Sequence, residues 1–327
     1  MKVLEAGKRV LGKEHPDTLT SMTNLASAYR NQGRWKEAEE LEVKVLDTEK
    51  RALGQEHLDT LTSMASLAST YLNQERWEEA EELFVQVTET RKRVLGQEHP
   101  DTLTSMANLA SAFWGRRRWG EAEELEVQVM ETSKRVLGQE HPSTLTSMAN
   151  LASTYRNQGR WTEAEKLFTQ VMETFKTVLG REHPSTLTTM ANLASTFWNQ
   201  GRRKEAEELD VQAIETRKRV LGQEHPDTLS SMAILASEFW KQGRWIEAEE
   251  LEVQVMETRK KVLGQEHLDT LASMASLASR FWKQGRWIEA EELEVQVIET
   301  RKKVLGQEHP DTLATAVPNV EARGCQG

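Results

Sequence analysis

Apolar residues recur along this chain at the spacing of helices. From Pro100 onward, Leu103, Met106, Leu109, Ala110 and Phe113 follow at intervals of three, three, one and three, which is one face of an α-helix. Pro100 has the fixed φ suited to a first helical turn, where its missing N–H costs nothing, and Asp101 favours the positive end of the helix dipole. In most copies this first helix, helix A, runs out at Asn-Gln-Gly, as at Asn157, Gln158 and Gly159, where glycine supplies a left-handed C′ residue. A second helix, helix B, carries Trp161, Ala164, Leu167, Val171 and Val178 and ends at Leu179-Gly180, where the same glycine stop is expected. Charge is sorted by end: Glu121, Glu123, Glu124 and Glu126 lie early in one helix B, Lys134 and Arg135 late. No alternating β-branched run occurs, so strands are not expected.

The pattern is periodic. Leu-Gly falls at Leu11, Leu53, Leu95, Leu137, Leu179, Leu221, Leu263 and Leu305, always 42 residues apart. Residues 1–12 read as part of a helix B, residues 13–306 as seven 42-residue repeats, and residues 307–327 as the degenerate start of an eighth with a tail. One helix pair cannot enclose its own apolar stripe, whereas stacked copies bury a continuous core between neighbours. The sequence therefore predicts an all-α, right-handed solenoid superhelix of antiparallel helix pairs with helices A on the inner wall. At about 100° per residue, the wall opposite the core presents Thr146, Ala149, Asn150, Ser153, Arg156 and Asn157.

Composition narrows the function. With 42 basic against 52 acidic residues, the net charge of −10 disfavours nucleic acid and anionic lipid as partners. No apolar run approaches a membrane span, no secretory signal opens the chain, and the single Cys325 fits a reducing compartment, so the expected location is cytoplasmic. All eight histidines repeat in one slot before a helix A (His15, His57, His99 and so on to His309), which points to a structural role at the helix start. With no zinc-protease helix and no phosphate-binding loop, neither catalysis nor a cofactor or metal is expected. The tryptophans opening helix B (Trp35, Trp77, Trp119, Trp161, Trp245, Trp287) read as core residues.

A helix A of the form Met-Ala-Asn-Leu-Ala-Ser-Thr-Tyr, then Asn-Gln-Gly-Arg-Trp-x-Glu-Ala-Glu, then Leu-Gly-x-Glu-His-Pro, resembles the 42-residue tetratricopeptide repeats of kinesin light chains and is similar to repeat arrays of fungal NOD-like receptors. The resemblance implies a peptide or protein ligand held in the concave groove by asparagines, which here are Asn24, Asn108, Asn150 and Asn192. Ser66, Ile234 and Ser276 break that ladder, so the clamp is expected to be central. A second departure lies mid-helix B. The large apolar residue usual there is kept as Phe84 and Phe168 but replaced by Glu42, Glu126, Asp210, Glu252 and Glu294, so the packing face of those helices is expected to shift.

Otherwise near-identical copies vary late in helix A, with Trp198, Trp240 and Trp282 spaced by 42 and Lys241 and Lys283 beside two of them. With Arg280 nearby at the groove edge, this row suits an acidic peptide bearing an aromatic anchor. The leading expectation is a non-catalytic scaffold that binds a protein or peptide partner. Two alternatives stay open: the sensor region of a fungal-type NOD-like receptor whose nucleotide domain lies elsewhere, and a structural array that self-associates through uncapped ends.

Overall fold

The computed structural model describes residues 9–12, 14–307 and 312. Fourteen helices run in seven consecutive pairs: α1 (Pro16–Asn31), α2 (Trp35–Ala52), α3 (Leu58–Asn73), α4 (Trp77–Leu95), α5 (Pro100–Gly115), α6 (Trp119–Val136), α7 (Pro142–Asn157), α8 (Trp161–Val178), α9 (Pro184–Asn199), α10 (Arg203–Val220), α11 (Pro226–Lys241), α12 (Trp245–Leu263), α13 (Leu268–Gln284) and α14 (Trp287–Leu305). Odd-numbered helices are the expected helices A and even-numbered ones the helices B. The fold is an all-helical solenoid of these pairs, without strands among the described residues. It divides into two compact units, Met1–Val178 and Leu179–Gly327. The partial helix expected over residues 1–12 and the eighth repeat expected after 307 lie largely outside the described residues.

Each helix A starts on a histidine. The Nδ1 of His99 accepts a hydrogen bond from the Asp101 backbone N–H at 3.2 Å, and His15, His57, His141, His183, His225 and His267 cap their helices in the same way. An imidazole does here what Ser or Asp does at an ordinary N-cap. Helix A ends in the expected left-handed residue: Gly33 N–H donates to Arg30 O at 2.9 Å and Arg34 N–H to Tyr29 O at 2.9 Å, the Schellman pair. Where the glycine is missing, Glu75 and Arg117 take positive φ of 60° and 58°. The turn geometry thus persists without its preferred residue. The glycine after helix B differs from expectation. Gly96 sits at φ 93°, ψ 162°, the mirror image of extended chain rather than the left-handed helical region. That conformation aims its carbonyl at the buried Thr102 Oγ1, which donates to it at 2.9 Å.

The core is built between neighbours, as stacking requires. In the second unit one cluster joins Ile214 of α10, Leu229, Met232, Leu235 and Phe239 of α11, and Ala248 and Val255 of α12. The next repeats the pattern from Met256 through Phe281 to Val297. In this unit each of these repeats therefore completes the core of the one before it.

The mid-helix carboxylates overturn one expectation. Helix B does not turn them outward: Glu42, Glu126, Asp210, Glu252 and Glu294 are all buried, in the slot where Phe84 and Phe168 are fully buried. For the first four of these, burial is possible because the next helix A supplies a partner 28 residues on. Thr70 Oγ1 donates to Glu42 at 2.6 Å, and Arg280 Nε pairs with Glu252 at 2.5 Å. Asp210 meets Glu238, and their shared burial pushes both carboxyls up, so the pair holds a proton that neither would hold in water. Phe84 meets Ala112 instead.

Glu126 faces Thr154, and burial pushes its carboxyl up to about 7. A carboxyl raised in the folded state lowers stability as pH climbs from its unfolded value near 4.5 toward 7, since unfolding then releases a proton. Glu126→Gln is therefore expected to match wild type at pH 4 and to exceed it by about 3 kcal/mol at pH 8. Urea melts across that range check the sign; a pH-independent difference would show that burial of the charge is not the cause.

Candidate ligand groove

Within the first unit α5 and α7 flank a cavity of about 390 Å³ whose floor is Val129 and Ser133 of α6 and Leu137, which caps that helix. Thr104, Ala107, Asn108 and Ser111 line it from α5, and Ser143, Thr146, Ser147 and Asn150 from α7. The hydroxyls are spent on their own helices: Thr104 donates to Pro100 O at 3.0 Å, Ser111 to Ala107 O at 3.1 Å and Thr146 to Pro142 O at 2.9 Å. The amides of Asn108 and Asn150, half-buried in the wall, make no hydrogen bond among the described residues. A primary amide offers two donors and an acceptor, the set that pairs with a peptide backbone. The predicted wall is only partly the wall of this cavity. Thr146 and Asn150 line it, whereas Ala149, Ser153, Arg156 and Asn157 do not. Asn157 donates to Ser153 O at 3.0 Å, and Arg156 lies 6.0 Å from the Phe168 ring centroid, where burial holds its pKa down.

The other predicted site residues fall elsewhere. Asn24 is exposed on α1, and Asn192 stands on α9 in the second unit. Trp198, Trp240 and Trp282 occupy the same place on α9, α11 and α13, each near the turn into helix B. Trp240 and Trp282 are half-buried and pack on the cores of their own repeats. They also meet the tryptophan that opens the next helix: Trp240 and Trp245 at 6.0 Å between centroids, Trp282 and Trp287 at 5.1 Å. Lys241 lies 6.0 Å from the Trp198 ring and Arg280 5.2 Å from Trp240. A cavity of about 530 Å³ opens between Trp240, Trp245, Ile246, Lys283 and Arg286.

Two expectations change here. Arg280 brings no free positive charge to the groove edge, because Glu252 neutralises it inside the joint. The helix-B tryptophans are not uniformly core residues either: Trp161 is 40%, Trp245 55% and Trp287 57% exposed, and the last two meet the tryptophan that closes helix A before them.

Sequence reasoning also passed over the arginine that precedes helix B. In the first unit the Arg160 guanidinium stacks 4.0 Å over Tyr155, pairs with Glu163 of its own helix and reaches Glu123 of the preceding repeat at 2.7 Å. Its recurrence at 42-residue intervals, with Arg118, Arg244 and Arg286 in equivalent pairs, was the signal available. Among the described residues no group of three His, Cys, Asp or Glu side chains converges on a metal position, and no helix is long and apolar enough to cross a membrane.

Comparison with known proteins gives a consistent picture. A tetratricopeptide repeat profile matches residues 59–135, 127–172, 143–219 and 192–261, and a second of the same description matches 18–59 and 270–311. Among solved structures, the chain is 36% identical to the nearly identical TPR-like repeats of a Podosopora anserina protein named for kinesin light chain, over 63% of this chain and 97% of that one, with a TM-score of 0.54. BtubC (BKLC) from P. vanneervenii is 20% identical over 68% of this chain and 89% of its own, with a TM-score of 0.55. A Rap protein in complex with competence and sporulation factor is 12% identical over 93% and 84%, with a TM-score of 0.60. At those identities the last two show likeness of fold alone. No curated protein matches the sequence.

Proposed function

The chain belongs to the tetratricopeptide repeat family, and from that premise we propose that it is a non-catalytic scaffold holding a peptide or protein partner against its helices A. The observation that carries this reading is the pair of uncommitted amides, Asn108 and Asn150, on facing walls of one groove in which the hydroxyls of Thr104, Ser111, Thr146 and Ser147 bond to their own helices. Buried polar groups in native proteins are nearly always paired, so half-buried amides left open toward a groove are suited to a ligand backbone. Stacked helix pairs of this fold do hold ligands, as in the Rap protein solved with competence and sporulation factor.

Asn192 and the row of Trp198, Trp240 and Trp282 with Lys241 and Lys283 form the second contact region of this proposal. Half-buried rings beside lysines favour an acidic segment with an aromatic or apolar anchor. Because Trp240 and Trp282 also pack on their cores, their truncation is a poorer test than loss of an amide. The single Cys325 supports a reducing, cytoplasmic setting.

The test is peptide-phage selection on the intact chain, followed by titration of the selected peptides against Asn108→Ala, Asn150→Ala and the double variant. Each amide is expected to contribute about 1 kcal/mol and the pair roughly thirtyfold in affinity. Unchanged affinity at unchanged helicity would remove the groove of the first unit from the proposal.

A further inference from the structure

The depth of the groove between α5 and α7 traces to one residue. The helix-B slot equivalent to Ser133 of α6 is Glu49 in α2, Arg91 in α4, Phe175 in α8, Arg217 in α10 and Arg259 in α12. Only Ser133 is small. One repeat earlier the slot is full: the Arg91 guanidinium donates to Ser105 Oγ at 2.8 Å, to Asp101 O at 3.2 Å and to Thr62 Oγ1 at 3.2 Å. Moved forward by 42 residues those acceptors are Ser147, Ser143 and Thr104, and all three line the cavity. The cavity is therefore the space that an arginine occupies in the preceding repeat.

The chemistry around that space has changed with its contents. Where the slot is arginine, the residue ten positions on is a carboxylate, as in Arg91 with Asp101, Arg217 with Asp227 and Arg259 with Asp269. Where it is Phe175 or Ser133, that residue is Ser185 or Ser143. A guanidinium at Ser133 would lack its countercharge, and burying an unpaired charge is costly. The remaining walls, Leu103, Val129 and Leu137, are apolar. At about 390 Å³ the space exceeds the roughly 150 Å³ in which an engineered apolar cavity holds a benzene ring.

We propose that the cavity over Ser133 is an anchor pocket for one aromatic side chain of the partner peptide, which supplies from outside the ring that Phe175 carries at the same slot of α8. The pocket rests on the reading of this groove as a peptide site. Its mouth lies beside Asn108 and Asn150, so a backbone gripped by those amides drops a side chain onto Ser133.

The experiment fills the pocket from within. A random 12-residue peptide library is panned on the intact chain, and the peptides recovered are titrated against wild type, Ser133→Phe, the smaller filler Ser133→Val and the Asn108→Ala/Asn150→Ala double variant. Both fillers are expected to retain wild-type helicity, and affinity is expected to fall at least tenfold with Ser133→Phe and less with Ser133→Val. Replacing the aromatic residue of the peptide by alanine is expected to cost as much on wild type and little more on Ser133→Phe, because ring and filler compete for one space. If either folded filler binds the peptides as wild type does, or if no aromatic residue is required, the anchor pocket is overturned, while weakened binding to the asparagine variant leaves the groove reading standing. Peptides indifferent to every variant, or a selection that yields none, would overturn both.

Discussion

Arg280→Ala is expected to cost the second unit about 3–5 kcal/mol, more than an ordinary surface substitution by an order of magnitude. The guanidinium lies 2.5 Å from a Glu252 carboxylate that is itself buried at the α12–α13 contact, and Ser276 is its other hydrogen-bonding neighbour. Burial already pushes Glu252 up from the ordinary carboxylate range, and Arg280 opposes that shift. Without the arginine the carboxyl rises further, so the loss is expected to grow with pH above the unfolded value of about 4.5 and to be smallest in acid. The array contains its own rescue. Phe84 and Ala112 fill the equivalent positions on α4 and α5 with full burial, so Glu252→Phe combined with Arg280→Ala is expected to regain most of the loss or to exceed wild type. Urea unfolding followed by circular dichroism at pH 5 and pH 8 distinguishes these outcomes. An Arg280→Ala variant within 1 kcal/mol of wild type at both would mean that Glu252 finds water, and the joint would not depend on the pair.

That joint also marks the boundary of what the sequence discloses. Helix limits were legible because the determinants are local: a proline at the first turn, a glycine at the stop and charges sorted by end are all read within one repeat. The wall position of Asn150, and through the 42-residue repeat that of Asn108, was legible for a related reason, since helical period sets it opposite the core, whereas their part as a clamp was implied only by the family resemblance. Mid-helix carboxylates were misread because a single helix offers no reason to bury Glu42 or Glu252. The reason is Thr70 or Arg280, 28 residues away on the next repeat. A partial signal did exist in the variation of those two slots, Glu42 with Thr70, Phe84 with Ala112 and Glu252 with Arg280, although Phe168 stands with Thr196. Ser133 escaped notice for the same reason, because a serine on a helix is unremarkable until the slot is compared with Arg91 and Phe175. The tryptophans show a third limit. Trp245 and Trp287 hold a slot that looks uniform along the chain, yet they are exposed where Trp77 and Trp119 are half-buried.

If neighbouring repeats recognise each other through these slots, deletions of equal length should differ. Stability of a stacked array is approximately a sum over units and interfaces, so removal of one whole repeat should leave a shorter folded chain. Deleting residues 97–138 would bring Phe84 of α4 against Thr154 of α7 in place of Ala112, a contact that buries one hydroxyl able to bond to its own helix. Deleting residues 55–96 would bring Glu42 of α2 against Ala112 of α5, which removes the Thr70 hydroxyl that donates to Glu42 at 2.6 Å and leaves Arg30, at 3.4 Å, as the remaining partner. The second deletion is therefore expected to be less stable than the first by about 1–3 kcal/mol, the penalty of an unsatisfied buried acceptor. Ala112→Thr in the 55–96 deletion is expected to restore most of that difference, whereas in the full chain, where residue 112 faces Phe84 and not a carboxylate, it is expected to bring no gain. Deleting only residues 97–117 removes one helix of a pair and sets α4 against α6, two helices B with no complementary face; loss of helicity and aggregation are the expected result. Urea melts of the wild-type chain and these five variants, with circular dichroism for the helical content, check the order. Equal stability of the two 42-residue deletions, or an Ala112→Thr effect of the same sign in both backgrounds, would show that the paired slots do not choose the neighbour and that apolar area alone holds the stack.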